Sequence, residues 1–145
     1  MQWDASNRQA GFSTDAKTWL PVPANYKTVN VQTELADPNS MLNWHKKLIA
    51  MRRELPALRD GGMVMVDTTN ASVLSYVRTA PGSGHAVVVA LNMTAQPQKI
   101  ALDLSPAGIS SKAVKTLLTN DSSLQGVTTT SITLPAFGSW VGEVR

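Results

Sequence analysis

The chain contains no cysteine in 145 residues. That excludes disulfide frameworks, thiol nucleophiles and thiolate zinc sites together. Charge is scarce as well: Asp, Glu, Lys and Arg make up 16% of the residues, against about 25% in ordinary globular proteins. Disordered chains deviate the other way, and with 43% hydrophobic residues a folded protein is expected. No apolar run approaches the roughly 20 residues that span a bilayer, so no membrane partner is expected. The opening Met1-Gln2-Trp3-Asp4 has neither the basic start nor the apolar core of an export signal. Lack of cysteine also suits a reducing compartment, and a cytoplasmic, bacterial setting is expected.

Signatures of cofactor and metal chemistry are missing too. His45 and His85 stand alone, without metal-ligand spacing. No GxGxxG, phosphate-binding loop or GxSxG elbow occurs, so no metal and no cofactor is expected. Gly82-Ser83-Gly84-His85 collects catalytic letters, but it falls between two predicted strands and reads as a hairpin loop. The net charge is only +3. Its densest basic group, Lys46, Lys47, Arg52 and Arg53, falls in the C-terminal half of a predicted helix, where positive charge complements the helix dipole. A solvated helix face is expected there, and no nucleic-acid partner. The sequons at Asn70, Asn92 and Asn120 read as chance occurrences.

What is present falls into two parts. The first 36 residues show no sustained period, and Pro21-Val22-Pro23 forbids a regular helix there. A helix is predicted over 38–55, with Asp37 as N-cap and Pro38 in the first helical position. Met41, Trp44, Leu48, Met51 and Leu55 recur at steps of three and four, with Leu42 and Ile49 widening the stripe. Seven such side chains, each worth about 1.5–3 kcal/mol if buried, demand a partner surface. From Met63 onward the period becomes two. Strands are predicted over 63–66, 73–78, 86–91, 100–104, 113–118, 127–134 and 137–144, with 86–91 central because both its faces are apolar. The fold class is therefore mainly β: an antiparallel β-sandwich preceded by a loop and one α-helix. The division into domains is expected at 1–60 and 61–145.

Cleaving a glycosidic bond takes two flanking carboxyl groups, and none of the ten acidic residues forms a motif that identifies such a pair. Aromatic faces stack on sugar rings, so the four tryptophans matter. Trp44 and Trp140 lie on predicted core faces, whereas Trp3 and Trp19 lie where no periodicity explains them, and for these two packing and binding stay open.

The order of motifs adds a resemblance. Met1-Gln2-Trp3-Asp4, Ala10-Gly11-Phe12, Trp19-Leu20-Pro21-Val22, Asn25-Tyr26-Lys27 and Leu35-Ala36-Asp37-Pro38-Asn39-Ser40 follow one another here. The helix ending Leu48-Ile49-Ala50-Met51-Arg52-Arg53 comes next. This series resembles the α-glucosidases and oligo-1,6-glucosidases of glycoside hydrolase family 13, and Val88-Val89-Ala90-Leu91-Asn92 resembles their C-terminal sandwich. The resemblance implies that 1–60 is the end of a (β/α)8 barrel, an active-site-side loop plus the final helix. Residues 61–145 would then be the C-terminal sandwich. It further implies that the catalytic carboxylates lie upstream of the segment beginning at Met1, leaving no catalytic residue here, and that Gln2, Trp3 and Asp4 border the sugar site of a parent enzyme. Gln9 stands where the family commonly has asparagine. An oligosaccharide is the expected partner in the parent, with weak carbohydrate binding by the chain alone. Two other readings remain: a free-standing carbohydrate-binding module, and a structural domain that self-associates through Met41, Trp44, Leu48 and Met51.

Overall fold

The computed structural model describes residues 1–80, 82 and 84–145. Of the expected hairpin loop, Pro81 and Ser83 lie outside the described residues. The chain divides into two compact units, Met1–Met51 and Arg52–Arg145.

In the first unit the proline-rich stretch is irregular, as its missing amides dictate, apart from a single 3-10 turn at Ala24–Lys27. A short helix that periodicity did not predict follows: α1, Val31–Ala36. Asn30 opens it in an extended conformation, and its side chain accepts the Thr33 amide at 2.8 Å. A six-residue helix is too short to hold itself by its own ladder. Its first amides are therefore satisfied from elsewhere: Val31 donates to the Gln2 carbonyl at 3.0 Å and Gln32 to the Trp3 carbonyl at 2.9 Å.

Helix α2 spans Met41–Glu54 and starts later than expected. Asp37 has the extended backbone that a following proline imposes (φ −95°, ψ 110°). Its carboxylate accepts the Asn39 amide, so Asp37 and Pro38 build a turn instead of a cap. The cap is Ser40, whose Oγ accepts the Asn43 amide at 3.2 Å. The two helices then cap one another. The Glu34 carboxylate accepts the Leu42 amide at 2.9 Å, while Ser40 Oγ and Asn43 Nδ2 donate to the Glu34 carbonyl at 2.6 and 2.9 Å. The apolar stripe of α2 is only partly covered. No residue of this helix is buried; Met41 is exposed, and Trp44, Leu48 and Met51 are half-buried. The expectation that Trp44 is core is thus not met.

The second unit begins at Arg52, in the last turn of α2, and Pro56 then starts α3, Pro56–Arg59. Seven strands follow: β1 Gly62–Asp67, β2 Val73–Thr79, β3 Ala86–Asn92, β4 Gln98–Ile100, β5 Val114–Thr119, β6 Ile132–Leu134 and β7 Ser139–Val144. Five form an antiparallel sheet in the order β1-β2-β3-β7-β5, and β4 pairs with β6. Strand β3 is the centre of the large sheet, and all its residues but Leu91 are buried. Between the two sheets lies one apolar cluster. Val73, Val77, Val88, Ala90 and Trp140 come from the large sheet, Ile100, Ile132 and Leu134 from the small one. The mainly-β class with two packed antiparallel sheets is therefore what the chain adopts.

Trp140 is the largest fully buried side chain. Its Nε1 donates to Thr116 Oγ1 at 3.0 Å, and its ring lies where a side chain at Gly142 would otherwise stand. On the opposite side of the sheet α3 lies against β2 and β3, with Ala57 buried. Gly61 permits this approach, since a Cβ there would meet the Ala57 carbonyl and come within 2.6 Å of the Thr79 carbonyl oxygen.

Two predicted strands are shorter than expected. Leu102 and Leu104 are buried and Lys99, Ala101 and Asp103 exposed, as the alternation requires. Yet strand pairing stops at Ile100. The Leu102 amide leaves the ladder and donates to the Thr129 carbonyl at 2.7 Å. Val127 to Ser131 likewise forms no strand beyond a bridge between Thr128 and Ser131, because buried Thr129 turns its amide to the Lys112 carbonyl.

Candidate functional site

The opening segment is placed by backbone before side chain. The Trp3 amide donates to the Ala10 carbonyl at 2.8 Å, while the Gln2 and Trp3 carbonyls serve the first turn of α1. Residues 1–4 thus lie between a turn and a helix N-terminus. Ala10 is buried with φ +52°, and Gly11 follows at φ +67°. Gly11 is required on two counts: its positive φ, and the Asp4 carboxylate, which a Cβ would approach to 2.5–2.8 Å. Asn7 closes the turn, its Oδ1 accepting the Gln9 amide at 2.8 Å.

The three residues expected at a sugar site fare differently. Gln2 is half-buried, and its Nε2 donates to Asn25 Oδ1 at 3.1 Å. Trp3 is exposed. Asp4 is already engaged: its Oδ1 accepts both the Ser6 hydroxyl at 2.6 Å and the Ser6 amide at 2.8 Å. Those bonds, hydroxyl first, hold its carboxyl below the ordinary value. The geometry thus makes Asp4 the anchor of its own turn.

The same small motif recurs. Asp67 accepts from Thr69, Asp103 from Ser105 and Asp121 from Ser123, each from the amide and the hydroxyl two residues on. Each of these carboxyls is held low by those bonds. An Asp-x-Ser/Thr spacing is a turn signal legible in sequence, and it accounts for four of the ten acidic residues. None of the four has the raised pKa that a general acid needs. His45 bonds the Met41 carbonyl one helical turn back, and His85 lies 3.3 Å from Glu143. Among the described residues no cluster of three or more His, Cys, Asp or Glu could hold a metal ion, and no helix is long and apolar enough to cross a membrane.

All three sequon asparagines are structural: Asn70 Oδ1 accepts the Ser72 and Val73 amides. Asn92 is buried and donates to the Gln96 and Pro135 carbonyls, and Asn120 donates to the Phe137 carbonyl while accepting the Ser139 amide.

The aromatic question left open by the sequence is resolved for exposure. Trp19 is 97% exposed, beside Leu20 and Phe12, which are also exposed. It contributes to two open grooves of about 500 and 670 Å³. The larger groove also takes in Gln2 and Asn25; the smaller takes in Arg8 and Tyr26. Of Gln9 and Thr18, which line both grooves, only Gln9 was marked in the sequence, as a departure from the family's usual asparagine.

Residues 1–61 match the family described as the catalytic domain of alpha amylase. A salivary alpha-glucosidase of Aedes aegypti is 42% identical over 105 residues, which are 72% of this chain and 17% of the enzyme. An oligo-1,6-glucosidase of Halalkalibacterium halodurans is 39% identical over 88 residues, 61% of this chain and 15% of the enzyme. Among solved structures, the trehalulose synthase of Pseudomonas mesoacidophila superposes with a TM-score of 0.84 at 30% identity, covering 99% of this chain and 24% of that one. The chain spans about a fifth of the length of the curated relatives it matches. By these likenesses the chain belongs to glycoside hydrolase family 13, the α-amylase family.

Proposed function

We propose that this chain is the C-terminal part of an α-glucosidase-type hydrolase acting on α-glucosidic bonds of oligosaccharides, and that it has no catalysis of its own. One observation carries the reading. The first unit, which lies within the 1–61 match to an alpha amylase catalytic domain, has its helix N-termini capped but no apolar core. Its exposed apolar side chains suit a wall of protein that this chain does not contain. Residues 1–60 then close the barrel, α2 is its last helix, and residues 61–145 form the sandwich that steadies it. Gln2 and Trp3 border the sugar in the parent, and Asp4 holds their segment in place. The setting is a bacterial cytoplasm, in keeping with oligo-1,6-glucosidases from bacteria among the relatives.

The purified chain, assayed on maltose, isomaltose and an aryl α-glucoside, is expected to show no turnover. Activity that follows the chain through repeated purification, and that is lost on a substitution within it, overturns the reading. Light scattering tests the assignment of the α2 face to a barrel. A tight dimer broken by Met41→Glu would give that face to a second copy instead.

A further inference from the structure

We draw no further inference here: the strongest candidate, the surface patch at one end of the sandwich formed by exposed Met93 after β3 and exposed, positive-φ Phe137 in the turn before β7, whose amide donates to the Thr94 carbonyl, carries nothing because nothing in the structure shows what covers it.

Discussion

The two units are held together by different physics. In Arg52–Arg145 a single cluster between two sheets buries valine, isoleucine, leucine and Trp140, and the hydrogen bonds of the strands follow from that packing. In Met1–Met51, among the described residues, only Ala10, Asn30 and Ser40 are buried, and two of these three are polar. Order there comes from side chains that finish backbone ladders: Asn30 at α1, Ser40 and Glu34 at α2, Asp4 and Asn7 in the opening turns. The same unit holds nine of the thirteen large hydrophobic side chains exposed among the described residues. Hydrogen bonds specify a conformation but contribute about 1 kcal/mol each in net stability, whereas buried apolar area supplies the bulk. A segment can therefore be conformationally defined and still be energetically incomplete. That is the state of the first unit.

The largest effect should come from emptying the core of the second unit. Trp140→Ala is expected to cost about 3–5 kcal/mol, read as a fall in the denaturant midpoint of the sheet signal. The matched truncation Leu20→Ala in the first unit should change stability by less than about 0.5 kcal/mol. Equal losses would erase the contrast between the units.

Next in size is the polar tie of the first unit. Asn30→Ala removes the acceptor for the Thr33 amide and the donor to the Tyr26 carbonyl. A loss of about 1–2 kcal/mol is expected, confined to α1 and the segment it bonds. Hydrogen exchange at the Val31, Gln32 and Thr33 amides should speed up while β3 amides keep their protection. A uniform change across both units would mean that they unfold together.

Acid should act on both units, more gently. The Asp4, Asp67, Asp103 and Asp121 carboxyls are held below their ordinary value of 3.8 in the fold. The unfolded chain then binds more protons near that pH, so stability falls as pH drops. Their contribution is present above 3.8 and is lost as pH falls through the lowered folded values. Asp67→Asn with Asp121→Asn keeps the turn acceptors, because both bonds of each turn end on one oxygen, but removes the titration. Urea midpoints at about pH 3 and pH 6 should lie closer together in this double variant than in the parent chain.

What the sequence disclosed follows the same division. Where burial decides the structure, alternation was enough: Ile100, Leu102 and Leu104 face inward although pairing stops at Ile100, and the doubly apolar run 86–91 is the central strand. Where single hydrogen bonds decide, the pattern was silent or misleading. Asp37-Pro38 looks like a helix start, but the residue before proline is driven to extended backbone, and Ser40 takes the cap. Helix α1 has too few residues to show a period, and its first amides are met by carbonyls almost thirty residues earlier. At the candidate site, Gln2 and Asp4 came only from resemblance, and Trp3 also from its place in a segment without a period. The grooves at Trp19 depend on Gln9 and Thr18, which no local rule marks. The Asp-x-Ser/Thr turns were readable in sequence and explain why Asp4 serves the backbone.

Trp140 and Gly142 carry a consequence for how this sheet changes over evolutionary time. The indole occupies the space that a side chain at 142 would need, and its nitrogen is answered by Thr116 on the neighbouring strand. None of the three can drift alone. A larger residue at 142 evicts the indole, a small one at 140 leaves a void, and an apolar one at 116 strands a buried donor. Homologous sheets should therefore inherit the trio whole or replace it whole, so that across a family the three columns vary as one character.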